Sequence, residues 1–200
     1  MNERARDAAR GALAATLITG IDMRVSDIAS SAPTELNTPL QARVYELLNT
    51  LAIPFERVDT EEVVTMDDCE SINQKLDMQM VKTLFLCNAQ RTRFYLFVTR
   101  GDKAFRSKEF SRAIDSSRVS FAPADLMETM LGVTVGAATV FAKLMDHQNA
   151  VQVVLDADVV ADEWYGCSDG TTTSYLKIRT NQIVDVFLPH IGHQPMIVRL

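Results

Sequence analysis

The chain has 200 residues, of which 47% are hydrophobic and 23% charged, and a net charge of −6. Its length allows one large domain, or one domain with an appendage, around a real core, and its acidic balance argues against general affinity for nucleic acid. No apolar stretch is long enough to span a bilayer and no secretory leader pattern opens the chain, and the three cysteines, Cys69, Cys87 and Cys167, form no CxxC pair and fit a reduced cytoplasm.

Residues 1–36 are set apart by composition. They are Ala-rich, with Arg4, Ala8, Leu13 and Leu17 in loose helical spacing around Gly11, and then turn to "SSAPTELNTP", a linker by composition. The expectation is a helical extension and linker over 1–36 and one domain over 37–200, the extension packing on the domain or on a second copy of the chain. Thr38 and Pro39 predict a capped helix whose face carries Leu40, Val44, Leu47, Leu48 and Leu51. "AIPFERV" predicts a strand, and residues 67–79 a helix starting at Asp67 or Asp68. "VKTLFLCN" and "RFYLFVTR" predict two strands of a hairpin. "SKEFSRAI" reads as a short helix capped by Ser107, "RVSFA" as a strand, and "PADLMETML" as a helix entered through Pro123 and stopped by Gly132. "AVQVVLDADV" is apolar enough to be a central strand. "SYLKI" predicts another strand, Thr180 is expected to cap a helix through "IVDVFLP", and "PMIVRL" is expected to close the chain as a strand. Helices and strands alternate without a strict βαβ rhythm, so the fold class is a mixed α/β domain around one central sheet.

Several common signatures are missing. "HIGH" at His190–His193 stands close to the C-terminus without a nucleotide-binding fold before it, and reads as coincidence. Two histidines three apart lack the further ligands zinc needs. There is no GxSxG elbow, phosphate loop or GxGxxG. No metal or cofactor is expected. Two features remain. Lys82 opens the apolar run "QMVKTLFLCN", as either a solvated edge residue or a charge held at a site. Gly132 and Gly136 bracket "GVTVGAATVF", which is either a helix stop and a turn or a loop that aims successive N–H groups at one oxygen. Residues 91–118 carry eight basic and three acidic side chains, leaving −11 for the rest of the chain. That window is either a solvated face or a local surface for phosphates.

The ordered segments "VYELLNTLAIPFERVD", "VKTLFLCN", "FYLFVTRGDKAF", "RVSFAPADLMETMLGVTVGAATVF", "AVQVVLDADV" and "HIGHQPMIVRL" resemble the YbaK/ProXp family, the editing domains related to the insertion domain of bacterial prolyl-tRNA synthetase. The long "SFAPADLMETMLGVTVGAATVF" block and closing "HQPMIVRL" are nearest the ProXp/PrdX branch. The resemblance covers residues 40 to 200. It implies a largely antiparallel, partly barrel-like mixed sheet flanked by helices, and a cytoplasmic trans-editing deacylase that hydrolyses the ester of a mischarged tRNA without a metal, such as one carrying alanine or another small amino acid.

The resemblance also assigns residues. Lys82 falls on the family's functional lysine, so it implies a charge at a site. Gly136 falls on the glycine of a loop that binds the substrate carbonyl oxygen, with Ala137 beside it. Thr83 stands where many members have Asn, and Gly101, Asp102 and Lys103 match a "GDK" turn, all on the substrate side. Three positions depart: Val140 replaces a loop proline, and in "GCSDGTT" Ser168 and Thr172 replace a His and an Asn of the amino-acid pocket. These departures leave a second reading open, a binding or regulatory module with weakened turnover; a homodimer docked through the extension is a third. Arg91, Arg93, Arg106 and Lys108 are expected to meet the acceptor end of the tRNA, and no membrane partner is expected.

Overall fold

Thr38 accepts a hydrogen bond from the Gln41 amide at 3.0 Å and Pro39 follows it, so helix α1 (Pro39–Thr50) begins where the sequence predicts. It buries Leu40, Val44 and Leu48. This computed structural model describes residues 24–62 and 69–200. The helical spacing at Arg4, Ala8, Leu13 and Leu17 and the helix start expected at Asp67 or Asp68 lie outside these residues.

The chain then runs through β1 (Phe55–Asp59), α2 (Glu70–Leu76), β2 (Val81–Asn88), β3 (Phe94–Arg100), α3 (Ser107–Ala113), β4 (Val119–Phe121) and α4 (Ala124–Leu131). A 3₁₀ segment (Val140–Met145) leads to β5 (Val151–Asp156), α5 (Ala157–Ala161), β6 (Trp164–Ser168) and β7 (Ser174–Arg179). A π-helical stretch (Gln182–Phe187), the single turn α6 (Leu188–His190) and β8 (Met196–Val198) end it.

The single domain is mixed α/β as expected, but it contains two sheets where one was expected. The larger has the order β4-β2-β3-β5-β8, and the smaller β1-β7-β6. β2 pairs antiparallel with β3 and β4, β3–β5 and β5–β8 are parallel, and the smaller sheet is antiparallel throughout. The nearly continuous apolar character of β5 follows from its place between two parallel neighbours. Period-two alternation splits the large sheet's residues between two cores. Phe85, Leu96, Val98, Val153 and Leu155 face α1, the 3₁₀ segment and the π-helical stretch, while Leu86, Tyr95, Phe97 and Val154 face Phe110 of α3. A third cluster packs α2 on the small sheet through Val58, Ile72, Leu76 and Tyr175.

The sheets meet at one parallel bridge, Met80 to Gly166, without closing a barrel. A Cβ on Gly166 would stand 2.6 Å from Met78 Sδ and 2.9 Å from the Gln79 carbonyl oxygen, so this seam admits only glycine without a shift.

Some local expectations are corrected. Ser107 is the first helical residue of α3 and not its cap; the extended Arg106 precedes it and supplies no side-chain cap. Thr180 makes no capping bond, and its buried hydroxyl lacks a partner among the described residues. "AVQVVLDADV" is a strand only to Asp156, because the Asp156 carboxylate accepts from the Asp158 amide and starts α5. β6 was not foreseen at all. Gly132 does stop α4, in the left-handed conformation at φ 64°.

Candidate functional site

A cavity of about 460 Å³ opens beside the seam where β2 leaves β4 behind and approaches β6. It has a deep end and an open end. Cys167, Ser168, Tyr175 and Met80 line it and are buried, whereas Phe121 and Val135, also on its wall, are 61% and 62% exposed. Lys82, Thr83 and Gly136 line it as well, with Lys82 and Thr83 at intermediate exposure. Among the described lining residues none is Asp, Glu or His, and Lys82 carries the only charge.

Lys82 is a held charge and not a solvated edge residue. Its ammonium donates to the carbonyl oxygens of Gly101 and Lys103. Burial pulls its pKa below the ordinary lysine value, and the Asp102 carboxylate opposes that shift. The "GDK" turn therefore acts through its backbone. Its side chains point to other partners: Asp102 pairs with Arg100, and Lys103 Nζ reaches Asp156 at 2.9 Å and Asp158 at 2.8 Å. Asp156 is fully buried and also accepts from the Thr99 hydroxyl at 2.8 Å. Lys103 thus anchors the turn that holds Lys82, and does not line the cavity.

The 133–138 loop lines the same cavity as Lys82, through Val135, Gly136 and Ala138. Gly136 has φ 93°, which favours glycine. The Ala137 amide donates to the Thr134 carbonyl at 3.1 Å, so it is engaged within the loop. Among the described residues the Gly136 and Ala138 amides donate to no protein acceptor, and both residues line the cavity. The pair of available donors is therefore Gly136 and Ala138, where the sequence suggested Gly136 and Ala137.

The deep end is built by "GCSDGTT". The Ser168 hydroxyl donates to the Ala137 carbonyl at 3.3 Å, tying β6 to the loop. The fully buried Asp169 accepts from Gln41 Nε2 and the Tyr45 hydroxyl at 2.8 Å each, and from the Thr171 hydroxyl at 2.8 Å, so α1 fixes this turn from behind. Gly170, at φ 98°, packs so closely on Leu40 that a Cβ would lie 2.6 Å from Leu40 Cδ2. Thr172 is not on the cavity wall; its carbonyl accepts from the Tyr175 hydroxyl at 3.1 Å. Burial pushes the Cys167 thiol up to about 12, so it is a neutral wall and not a thiolate nucleophile. Residues 167 and 168, Met80 and Tyr175 give the pocket uncharged contacts.

The basic window divides. Arg91 and Arg93 sit at the β2–β3 turn, six strand residues beyond Lys82, or about 20 Å away. Arg106 and Lys108 follow the "GDK" turn at Lys82's own end, both exposed, with Arg106 3.5 Å from Glu109. "HIGH" has a structural role: the buried His193 Nε2 accepts from the Val153 amide at 3.0 Å, while His190 is exposed. Sequence reasoning missed Phe121, Val135 and the Asp156–Asp158 anchor; the closely spaced acids of "DAD" after an apolar strand were the available signal for the anchor.

Comparison with known proteins agrees with this geometry. Residues 60–186 match the aminoacyl-tRNA editing domain family. The chain is 32% identical over 113 residues to the prolyl-tRNA editing protein ProX of Acetoanaerobium sticklandii, covering 56% of this chain and 69% of that protein. Two crystal structures share the fold at 16% identity. One, titled only as a hypothetical protein, has a TM-score of 0.62 and covers 78% of this chain and 98% of its own. The other, provisionally assigned as a trans-editing enzyme for prolyl tRNA synthetase, has a TM-score of 0.59 with 82% and 99% covered. The match takes in α2 and β2 through β7, and with them Lys82, the Gly136 loop and the Ser168 turn, so this chain belongs to the aminoacyl-tRNA editing domain family.

Proposed function

We propose that the chain is a trans-editing deacylase: it hydrolyses the ester between a small amino acid and the 3′ end of a mischarged tRNA. The observation that carries this reading is a cavity whose only charge, among the described residues, is the held ammonium of Lys82, and whose wall also includes Gly136 and Ala138 with their unengaged amides. Family membership and the name of the 32% identical relative support the same substrate class.

The chemistry asks little of side chains. An aminoacyl ester is already activated. Water adds to the ester carbonyl with the neighbouring ribose hydroxyl as a proton relay: it accepts a proton from the water as it gives its own to the departing ribose oxygen. The carbonyl oxygen becomes an oxyanion, stabilised by the Gly136 and Ala138 amides and by the ammonium of Lys82. Collapse breaks the bond to the ribose oxygen, which leaves as a hydroxyl and frees the amino acid. The deep end selects the side chain by size, an apolar discrimination of about 1–3 kcal/mol per methylene. Ser168, with its hydroxyl tied to Ala137, sets the polarity there.

Residues 37–200 form the editing unit in this proposal, and 1–36 an extension; the three free, buried cysteines support a reducing cytoplasm as the compartment. The test is a deacylation panel with tRNAs charged with Ala, Ser, Cys, Thr and Pro. Turnover of one or two of them is expected; a flat panel with tRNA still bound contradicts the deacylase reading and favours a binding module.

A further inference from the structure

Phe121 and Val135 are the two most exposed large hydrophobic side chains among the described residues, and both stand on the open rim of the same cavity. Single exposed apolar residues need no explanation, but two at one mouth, on different segments, do. Phe121 ends the short edge strand β4. Its ring meets Phe105 edge-on, with centroids 5.6 Å apart and planes at 64°. Phe105 in turn packs on the buried Phe110 at 5.8 Å and Phe97 at 6.0 Å. The exposed ring is thus the last of an aromatic row rooted in the core, held in orientation while most of its surface faces water.

We propose that Phe121 is a stacking platform for the terminal nucleobase of the tRNA, with Val135 flanking it. The inference rests on the deacylase reading for its choice of ligand. With the amino acid in the buried end and the ester between Lys82 and the Gly136 loop, the attached nucleoside emerges at the rim where Phe121 stands. A nucleobase offers a flat apolar face and every base has one, so a ring already fixed in place binds it at little entropic cost. No carboxylate lines this rim among the described residues to repel the adjoining phosphate.

The probe is a non-hydrolysable amide, 3′-alanylamino-3′-deoxyadenosine, beside the same compound lacking the base, each titrated calorimetrically into the full-length protein. The wild type is expected to bind the base-containing compound about 10-fold more tightly. Phe121→Leu, which keeps the site apolar, is expected to lose that difference, and Phe121→Trp to keep or increase it. Deacylation should show the Phe121→Leu change as a raised KM with kcat unchanged, the mark of binding lost equally in ground and transition states. Equal binding of the two compounds by the wild type, or Phe121→Leu binding like the wild type, overturns the proposal. Base-dependent binding without hydrolysis of any charged tRNA leaves the platform standing and removes the deacylase reading.

Discussion

Lys82 takes its position from a relay whose far members do not line the cavity. Asp156 and Asp158 hold Lys103, Lys103 pins the turn, and the turn's carbonyls hold the ammonium. Lys103→Met leaves the buried Asp156 unpaired and is expected to cost about 3 kcal/mol of stability in urea unfolding. Adding Asp156→Asn should restore most of that stability without restoring kcat, because the turn stays unanchored; full recovery of kcat in the double variant would break the relay. His193 gives a separate, pH-linked prediction. Nε2 accepts from the Val153 amide, so the ring must be neutral, and burial together with the nearby Lys143 ammonium keeps its pKa below 6.5 despite Asp146. The unfolded chain binds the proton more readily, so stability is fully present above pH 6.5 and is lost as pH falls below it. Melting temperatures between pH 7.5 and 5.5 should fall in the wild type and fall less in His193→Gln; parallel curves would contradict this role.

At the scale of elements, the edge of β1 is covered by residues 24–31. The Ala29 and Arg57 backbones exchange hydrogen bonds at 2.8 and 2.7 Å, Ser26 donates to the Asp59 carbonyl at 2.9 Å, and Arg57 Nε donates to the Ser31 carbonyl at 3.0 Å. Deleting 1–36 therefore uncovers a strand edge, whereas deleting 1–23 leaves the cover in place. The longer deletion is expected to lower the melting temperature and promote association, measured by light scattering, and the shorter one to do neither. Equal behaviour of the two would assign any effect to residues 1–23. The elements legible in the sequence were those with a strong local signal: the unbroken apolar runs of β2 and β3, and the Thr-Pro start of α1. β6 was illegible because "WYGCS" combines glycine, cysteine and serine, and becomes a strand through pairing with β7 and Gly166's close seat on Met78. Ser107 and Thr180 have capping residue types, but the neighbouring backbone decided where each helix began.

For the whole molecule, the fold brings together residues scattered from Cys69 to Tyr175 on one cavity wall. Lys82 was legible through family resemblance, since no local spacing marks it. Phe121 was not, because an aromatic in "VSF" reads as core until the shortness of β4 exposes it. The same folding separates the basic window's two pairs, and this sorts their effects. Charge reversal at Arg106 and Lys108, near the cavity, is expected to weaken tRNA binding and flatten its salt dependence by about two counterions. Reversal at Arg91 and Arg93, about 20 Å along the hairpin, should do less. Indifference to the first pair would make that face merely solvated.

The central claim is that the ammonium of Lys82 and the Gly136 loop act together on an aminoacyl ester. It is tested most directly by single-turnover deacylation of the best substrate in the panel, comparing wild type with Lys82→Ala after circular dichroism has shown both folded. A loss of about 100-fold or more in the chemical step is predicted, with wild-type activity declining as pH rises through Lys82's lowered pKa. Hydrolysis by Lys82→Ala at the wild-type rate would contradict it.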